Sequence, residues 1–250
     1  MAIKPILFNT KMVRAILDGR KSCTRRIIKP QWEECPHCKY VHNEYIYDKL
    51  AENVYCARCG YPMVPERRAP YQPGDILYVR ETWQYLYELD ENEQVIEDTG
   101  KYYYAATDTI PFDTYVDENG VKHDHAPWRP SIHMPKEAAR IWLKVTDVRV
   151  ERLQDITEDG AEAEGMPDSL DYPVDKEYCP LCKGEGIIGT VDVHSLGHMD
   201  VDCPYCDSYR KRFENLWNSI NQKSLDSYGW DANPWVWVIE FERCEKPQEV

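Results

Sequence analysis

The sequence predicts an α+β fold: a small, mostly antiparallel β-barrel with flanking helices and two cysteine-rich inserts. Three observations lead there. Short stretches of strand character outnumber the two or three helical ones, and no strand–helix–strand rhythm of a parallel sheet runs through the 250 residues. Eight of the ten cysteines form four Cys-x-x-Cys pairs, Cys35/Cys38, Cys56/Cys59, Cys179/Cys182 and Cys203/Cys206. With residues 33–63 and 175–207 set aside as inserts, the core (about 1–32, 64–174 and 208–244) has the size of one domain.

The elements follow in order. Pro5-Ile6-Leu7-Phe8 reads as a first strand. Thr10 is a candidate N-cap for a helix with Met12, Val13, Ile16 and Leu17 on one face, which Gly19 ends. Thr24, Ile27 and Ile28 then form a strand. The turn residues Pro73-Gly74-Asp75 precede a strand from Ile76 to Glu81, and Tyr102 to Ala106 is another. Asp117-Glu118-Asn119-Gly120 signals a hairpin turn. Residues 141–153 alternate as one long strand or two bent ones, with a bulge expected near Thr146-Asp147. Asp155-Ile156-Thr157-Glu158 opens a short acidic helix that runs through Glu164 and stops at Gly165. Tyr209 to Asn221 makes an amphipathic helix with Phe213, Leu216, Trp217 and Ile220 inward, and residues 235–241 are the last strand.

The net charge of −14 argues against nonspecific coating of DNA. Locally the balance reverses, since residues 1–30 hold eight Lys or Arg against Asp18 alone. A cationic surface on an acidic chain suggests a place for phosphate or a nucleotide, with Arg20, Lys21, Arg25 and Arg26 as its candidates. Residues 81–125 carry twelve acids against two lysines and read as a solvated surface. No apolar run is long enough to span a membrane and the start lacks a signal peptide, so a cytoplasmic protein is expected.

The gaps between paired knuckles, 17 and 20 residues, are those of two four-thiolate zinc sites. Disulfides are the alternative, but nothing in the sequence suggests secretion. Structural zinc is expected because four cysteines fill each ion and leave no open position. The metal ligands are therefore Cys35, Cys38, Cys56 and Cys59 for one ion and Cys179, Cys182, Cys203 and Cys206 for the other. Ribbons of this kind also serve as partner-binding or assembly modules.

The core resembles a known family. Ile16-Leu17-Asp18-Gly19-Arg20-Lys21, followed by Thr24 and Arg26, looks like the opening of the ASCH domain, a PUA-like β-barrel associated with RNA binding. Gly74-Asp75-Ile76-Leu77-Tyr78-Val79, Val145-Thr146-Asp147-Val148 and Trp237-Val238-Ile239-Glu240-Phe241 are similar to its later strands. Residues 74–83 and 128–135 resemble the longer ASCH proteins common in bacteriophages and prophages. The resemblance implies RNA or a modified nucleoside as ligand. One branch of the family, N4-acetylcytidine amidohydrolase, implies catalysis by a Lys, a Thr three residues later and a Glu in a short helix, which here fall on Lys21, Thr24 and Glu164. In that chemistry neutral Lys21 deprotonates Thr24, Thr24 attacks the amide carbonyl, and Glu164 orients Lys21 or protonates the leaving amine. The bland alternatives are a surface lysine, a strand threonine and a helix-surface glutamate. Trp83 and Trp230, at strand ends, are candidates to stack a base, and a non-catalytic binding module is the competing reading.

Overall fold

The structure is a computed structural model that describes residues 1–29, 31, 34, 35, 37–40, 45–48, 53–62, 69–88, 96, 98–110, 115–116, 122–123, 127–167, 187–191, 198–203 and 208–247. Its strands are β1 (Ile3–Leu7), β2 (Cys23–Ile27), β3 (Tyr45–Asp48), β4 (Asn53–Cys56), β5 (Ile76–Arg80), β6 (Trp83–Leu86), β7 (Lys101–Tyr104), β8 (Tyr115–Val116), β9 (Lys122–His123), β10 (Trp142–Arg152), β11 (Ile187–Val191), β12 (His198–Asp202) and β13 (Trp235–Cys244). The α-helices are α1 (Thr10–Leu17), α2 (Glu158–Ala163), α3 (Tyr209–Ile220) and α4 (Leu225–Tyr228). No helix among the described residues is long and apolar enough to cross a membrane.

Mixed α+β architecture and a mostly antiparallel sheet are present, but the described residues form no closed barrel. Five strands join in the order β1-β5-β10-β13-β2, and among the described residues the sheet stays open. β1 pairs parallel to β5, whereas β10–β5 and β13–β2 are antiparallel. β1 carries Pro5, whose ring nitrogen has no hydrogen to donate, which suits a strand at a sheet edge. The chain divides into two compact units.

The first unit holds β1, α1, β5 to β9 and the first three residues of β10. Asn9, one residue before the expected cap, accepts from Met12 N at 2.9 Å and starts α1, which buries Val13, Ala15 and Ile16. Gly19, just beyond the end of α1 and opening the second unit, has φ +77°, the left-handed turn for which glycine is suited. Asp75 ties down the start of β1, accepting from Ala2 N at 2.9 Å and Lys4 Nζ at 2.7 Å. Ile76, Trp83, Met134, Ala138, Ala139 and Trp142 form its core. Beside that core Glu81 is fully buried, and Arg140 Nε and Nη2 donate to its two carboxylate oxygens at 2.9 Å each.

The second unit holds β2 to β4, the rest of β10, α2, β11, β12, α3, α4 and β13 up to Phe241. β10 runs as one strand through Arg152. Thr157 Oγ1 accepts from Gly160 N at 3.0 Å and caps α2, two residues after the Asp155 that opens the expected capping box, and Gly165 at φ +87° follows the helix as the sequence predicts. Ser208 caps α3 through Lys211 N. Phe213 and Trp217 turn inward as expected, but Ile220 is 55 % exposed and Arg212 takes a buried position instead. These helices cover Cys23, Val236 and Val238 of β2 and β13 together with Leu153, Ile156, Met166 and Trp230.

The Glu81–Arg140 pair gives a stability test. Arg140→Ala strands a carboxylate away from water and lowers the unfolding free energy by about 3 kcal/mol. A urea midpoint unchanged from wild type would show that the pair is not what holds this corner.

Candidate metal centre and buried ion-pair cluster

Residues 35–62 build a four-thiol cluster from two knuckles of identical form. In the first, Lys39 N donates to Cys35 O, Cys35 N donates to Tyr40 O, and Cys38 N points at Cys35 Sγ at 3.5 Å. In the second, Gly60 N donates to Cys56 O, Cys56 N to Tyr61 O, and Cys59 N points at Cys56 Sγ at 3.4 Å. The residue after each second cysteine is left-handed, Lys39 at φ 55° and Gly60 at φ 67°. The β3–β4 hairpin, with Tyr45 opposite Cys56, carries the chain from one knuckle to the other.

All four sulfurs lie within 4.8 Å of one another. Cys35–Cys59 and Cys38–Cys56 are each 3.7 Å apart. Tetrahedral zinc with sulfur at about 2.3 Å sets neighbouring sulfurs about 3.8 Å apart, so the thiols stand where that ion needs them. Burial opposes charge on Cys35, but the N–H groups of Cys38 and His37 and the neighbouring thiols outweigh it and bring its pKa down to about 6. Of the second expected set only Cys203 is described; it is buried and directly follows β12 of the β11–β12 hairpin. Cys179, Cys182 and Cys206 lie outside the described residues.

A second cluster sits where β2 begins. Lys21 and Glu164, 143 residues apart, form an antiparallel bridge, and Ser22 N donates to Ala163 O. Lys21 Nζ donates to Glu164 Oε2 at 2.6 Å, Glu164 O at 2.8 Å and Cys23 O at 2.7 Å. The Lys21 side chain is wholly buried and that of Glu164 is 4 % exposed. Arg25 Nη1 reaches the other carboxylate oxygen of Glu164 at 3.3 Å, and its Nη2 reaches Glu151 at 3.3 Å. Arg149 bonds Glu151 in turn, and also Asp147 and Glu240. Burial works against the Arg149 charge, yet Glu151 and Glu240 raise its pKa above the ordinary arginine value. The charges therefore alternate from a dry end at Lys21 to a half-exposed end at Arg149. Gly160 makes room for this: a Cβ there would stand 3.3 Å from Arg25 Nη2.

Lys21 and Glu164 are thus brought together, and Thr24 is placed otherwise. Cys23 and Arg25 face α2 and α3, so strand alternation turns the buried Thr24 to the opposite face of β2, in register with Ile239. Cys23 is no substitute nucleophile, because burial, then the Glu164 charge, push its pKa up to about 12 against the pull of Arg25, Lys21 and Arg149.

The base-contact candidates divide as well. Arg25 is enclosed between two carboxylates and offers nothing to a phosphate. Trp83 is buried, with Arg129 over its ring at 5.5 Å and Tyr102 at 5.8 Å, and Trp230 packs between Arg210 and Phe213. Both tryptophans are core residues, because the strand ends that suggested exposure are covered by arginines. Arg20 is exposed and donates to Gly165 O at 2.8 Å, and Arg26 is half-buried. Lys29, not singled out from the sequence, is exposed with its Nζ 4.9 Å from the Tyr228 ring. Its signal was membership of the basic run; that of Arg149 and Glu151 was alternation along one face of β10.

No protein-family model, curated protein or solved structure matches the chain.

The thiol cluster predicts its own assay. Cys35→Ser should lower the bound zinc by about one ion per chain, counted with a chromophoric chelator. Hydrogen exchange should then quicken in residues 35–62 while β13 keeps its protection. Undiminished zinc in that variant would remove the assignment.

Proposed function

We propose that the chain is a zinc-binding protein of the ASCH, PUA-like type that binds RNA or a modified nucleoside along β2. One observation carries the reading. β2 ends the sheet among the described residues; exposed Arg20 and Lys29 flank it and half-buried Arg26 lies within it, on a chain of net charge −14. Two rings accompany these cations. Tyr228 lies under Lys29, and the Arg26 charge acts on Tyr71, whose pKa burial raises. Cations beside rings suit a polyanion with bases. Zinc, held by Cys35, Cys38, Cys56 and Cys59 and in this reading by a second set of Cys179, Cys182, Cys203 and Cys206, supplies structure to the ribbons.

A second, hydrolytic reading is favoured by the meeting of Lys21 and Glu164 at 2.6 Å. In it the free amine of Lys21, oriented by Glu164, deprotonates Thr24, the Thr24 oxygen adds to an N4-acyl carbonyl of a cytosine derivative, and the proton taken up by Lys21 passes to the leaving nitrogen. The C–N bond breaks, the amine leaves protonated, and water releases the acid from the threonine ester. This reading requires the Thr24 hydroxyl to come round the start of β2, whereas binding along β2 requires no such change.

Two measurements separate the readings. Arg26→Ala and Lys29→Ala should each weaken single-stranded RNA binding and flatten the log K against log salt slope by about 0.7 for each phosphate no longer neutralised. Affinity and slope equal to wild type in both variants would place binding elsewhere. For hydrolysis, N4-acetylcytidine should yield cytidine and acetate. Lys21→Ala, Thr24→Ala and Glu164→Ala should then each cost at least about a hundredfold, with the Lys21/Thr24 double no worse than the singles. Intact substrate after prolonged incubation with wild type leaves the binding reading alone.

A further inference from the structure

The two knuckles of the thiol cluster are alike in their backbone bonds and unlike in what water reaches. The first cysteine of each, Cys35 and Cys56, is fully buried, and the N–H of its own second cysteine points at its sulfur. The second cysteines differ: Cys38 is half-buried, whereas Cys59 is exposed. The left-handed residue that follows each of them differs too. After Cys38 comes Lys39, whose ammonium is paired with Glu34 at 3.1 Å. After Cys59 comes Gly60, and a Cβ placed on it would meet nothing within 4 Å. Among the described residues the cluster is thus most open at Cys59.

The sulfurs touch across the knuckles. Cys59 Sγ lies 3.7 Å from Cys35 Sγ, and Cys38 Sγ lies 3.7 Å from Cys56 Sγ. The exposed sulfur therefore has a buried one against it, 24 residues earlier in the chain. Zinc, when bound, keeps all four as thiolates, the form that attacks an oxidant. Oxidation follows exposure as well as thiolate character, so of four thiolates on one ion the outermost reacts first. The thiolate already in contact with it then attacks the oxidised sulfur without any search.

We infer that Cys59 is an oxidation site, at which hydrogen peroxide leads to a Cys35–Cys59 disulfide and empties the first metal centre. The inference rests on the four-thiolate reading of that centre and adds to it a way of being switched off. The Cys59 thiolate attacks one oxygen of the peroxide, the O–O bond breaks, and a sulfenic acid and hydroxide result. The Cys35 thiolate then attacks the Cys59 sulfur, the S–S bond forms, and a second hydroxide leaves. Two thiolates have given two electrons to one peroxide. Cys38 and Cys56 remain, two ligands where the ion needs four, and the order that the metal gives to residues 35–62 is lost with it. A thiol reductant and fresh zinc reverse the change.

The test uses the zinc-loaded full chain. A limiting amount of iodoacetamide, followed by peptide mass mapping, should place the first alkyl group of residues 35–62 on Cys59, with Cys35 and Cys56 unmodified. Hydrogen peroxide at about one equivalent per chain should release about one zinc ion, counted with a chromophoric chelator, as the Cys35–Cys59 disulfide appears in the map. Dithiothreitol and added zinc should restore the ion. Cys59→His keeps four ligands but has no sulfur on the open side, so it should load zinc and release it about tenfold more slowly under peroxide. If that variant fails to load, the wild-type map decides alone. A chain that keeps its zinc under excess peroxide, a first disulfide without Cys59, or Cys59 joined to any partner but Cys35 overturns the inference while the metal centre stands. Equal alkylation of Cys35, Cys38, Cys56 and Cys59 in the zinc-loaded chain overturns both.

Discussion

Glu164 is a carboxylate with almost no access to water, and two cations hold it there, Lys21 just ahead of β2 and Arg25 within it. Lys21 takes one oxygen and Arg25 the other, while the bridge between the backbones of Lys21 and Glu164 fixes where β2 begins. Nearly everything of interest in the second unit depends on this. It fixes which face of β2 meets α2, and hence which face carries Thr24. It also accounts for Arg25, whose guanidinium would otherwise need water, while burial first and the Glu164 charge second hold the Cys23 pKa up against Arg25 and Lys21. An ion pair so placed adds little net stability compared with apolar residues of equal volume, yet losing either partner leaves a buried charge. The pair thus specifies register more than it stabilises.

Local chemistry was the legible part of the sequence. Thr157 and Gly165 bracket α2, β10 spans eleven residues with its buried positions passing from Leu143 and Val145 to Val148, and the Cys-x-x-Cys spacing anticipates the four sulfurs. Each of these is decided by neighbours within a few positions or by a ligand geometry that spacing encodes. The pairing of Lys21 with Glu164 came from resemblance, not from the residues between them.

What was missed depends on contacts that spacing does not encode. Arg25 and Arg26 are adjacent cations in the sequence, but strand alternation sends the first among carboxylates and leaves the second half-buried. Trp83 and Trp230 sit at strand ends, where only the tertiary placement of Arg129 and Arg210 shows that their faces are taken. The open sheet was likewise hidden, since closure depends on which edges meet, and the strand pattern of a barrel is also that of an open sheet.

The pairing of β2 with β13 has a consequence for how the protein is made. Cys23 lies opposite Glu240, and Arg25 waits on a glutamate 139 residues further on. As the ribosome extends the chain, β2 emerges early, its cations unmatched until Glu164 is out and its ladder groups unmatched until β13 follows. The four thiols of the first cluster all lie between Cys35 and Cys59, so they are out together long before β13. Non-local pairing of this kind is slow and leaves a strand open to wrong partners. The exposed Arg20 and Lys29 at either end of β2 are the sort of charges that keep such a strand from pairing with another copy during that interval.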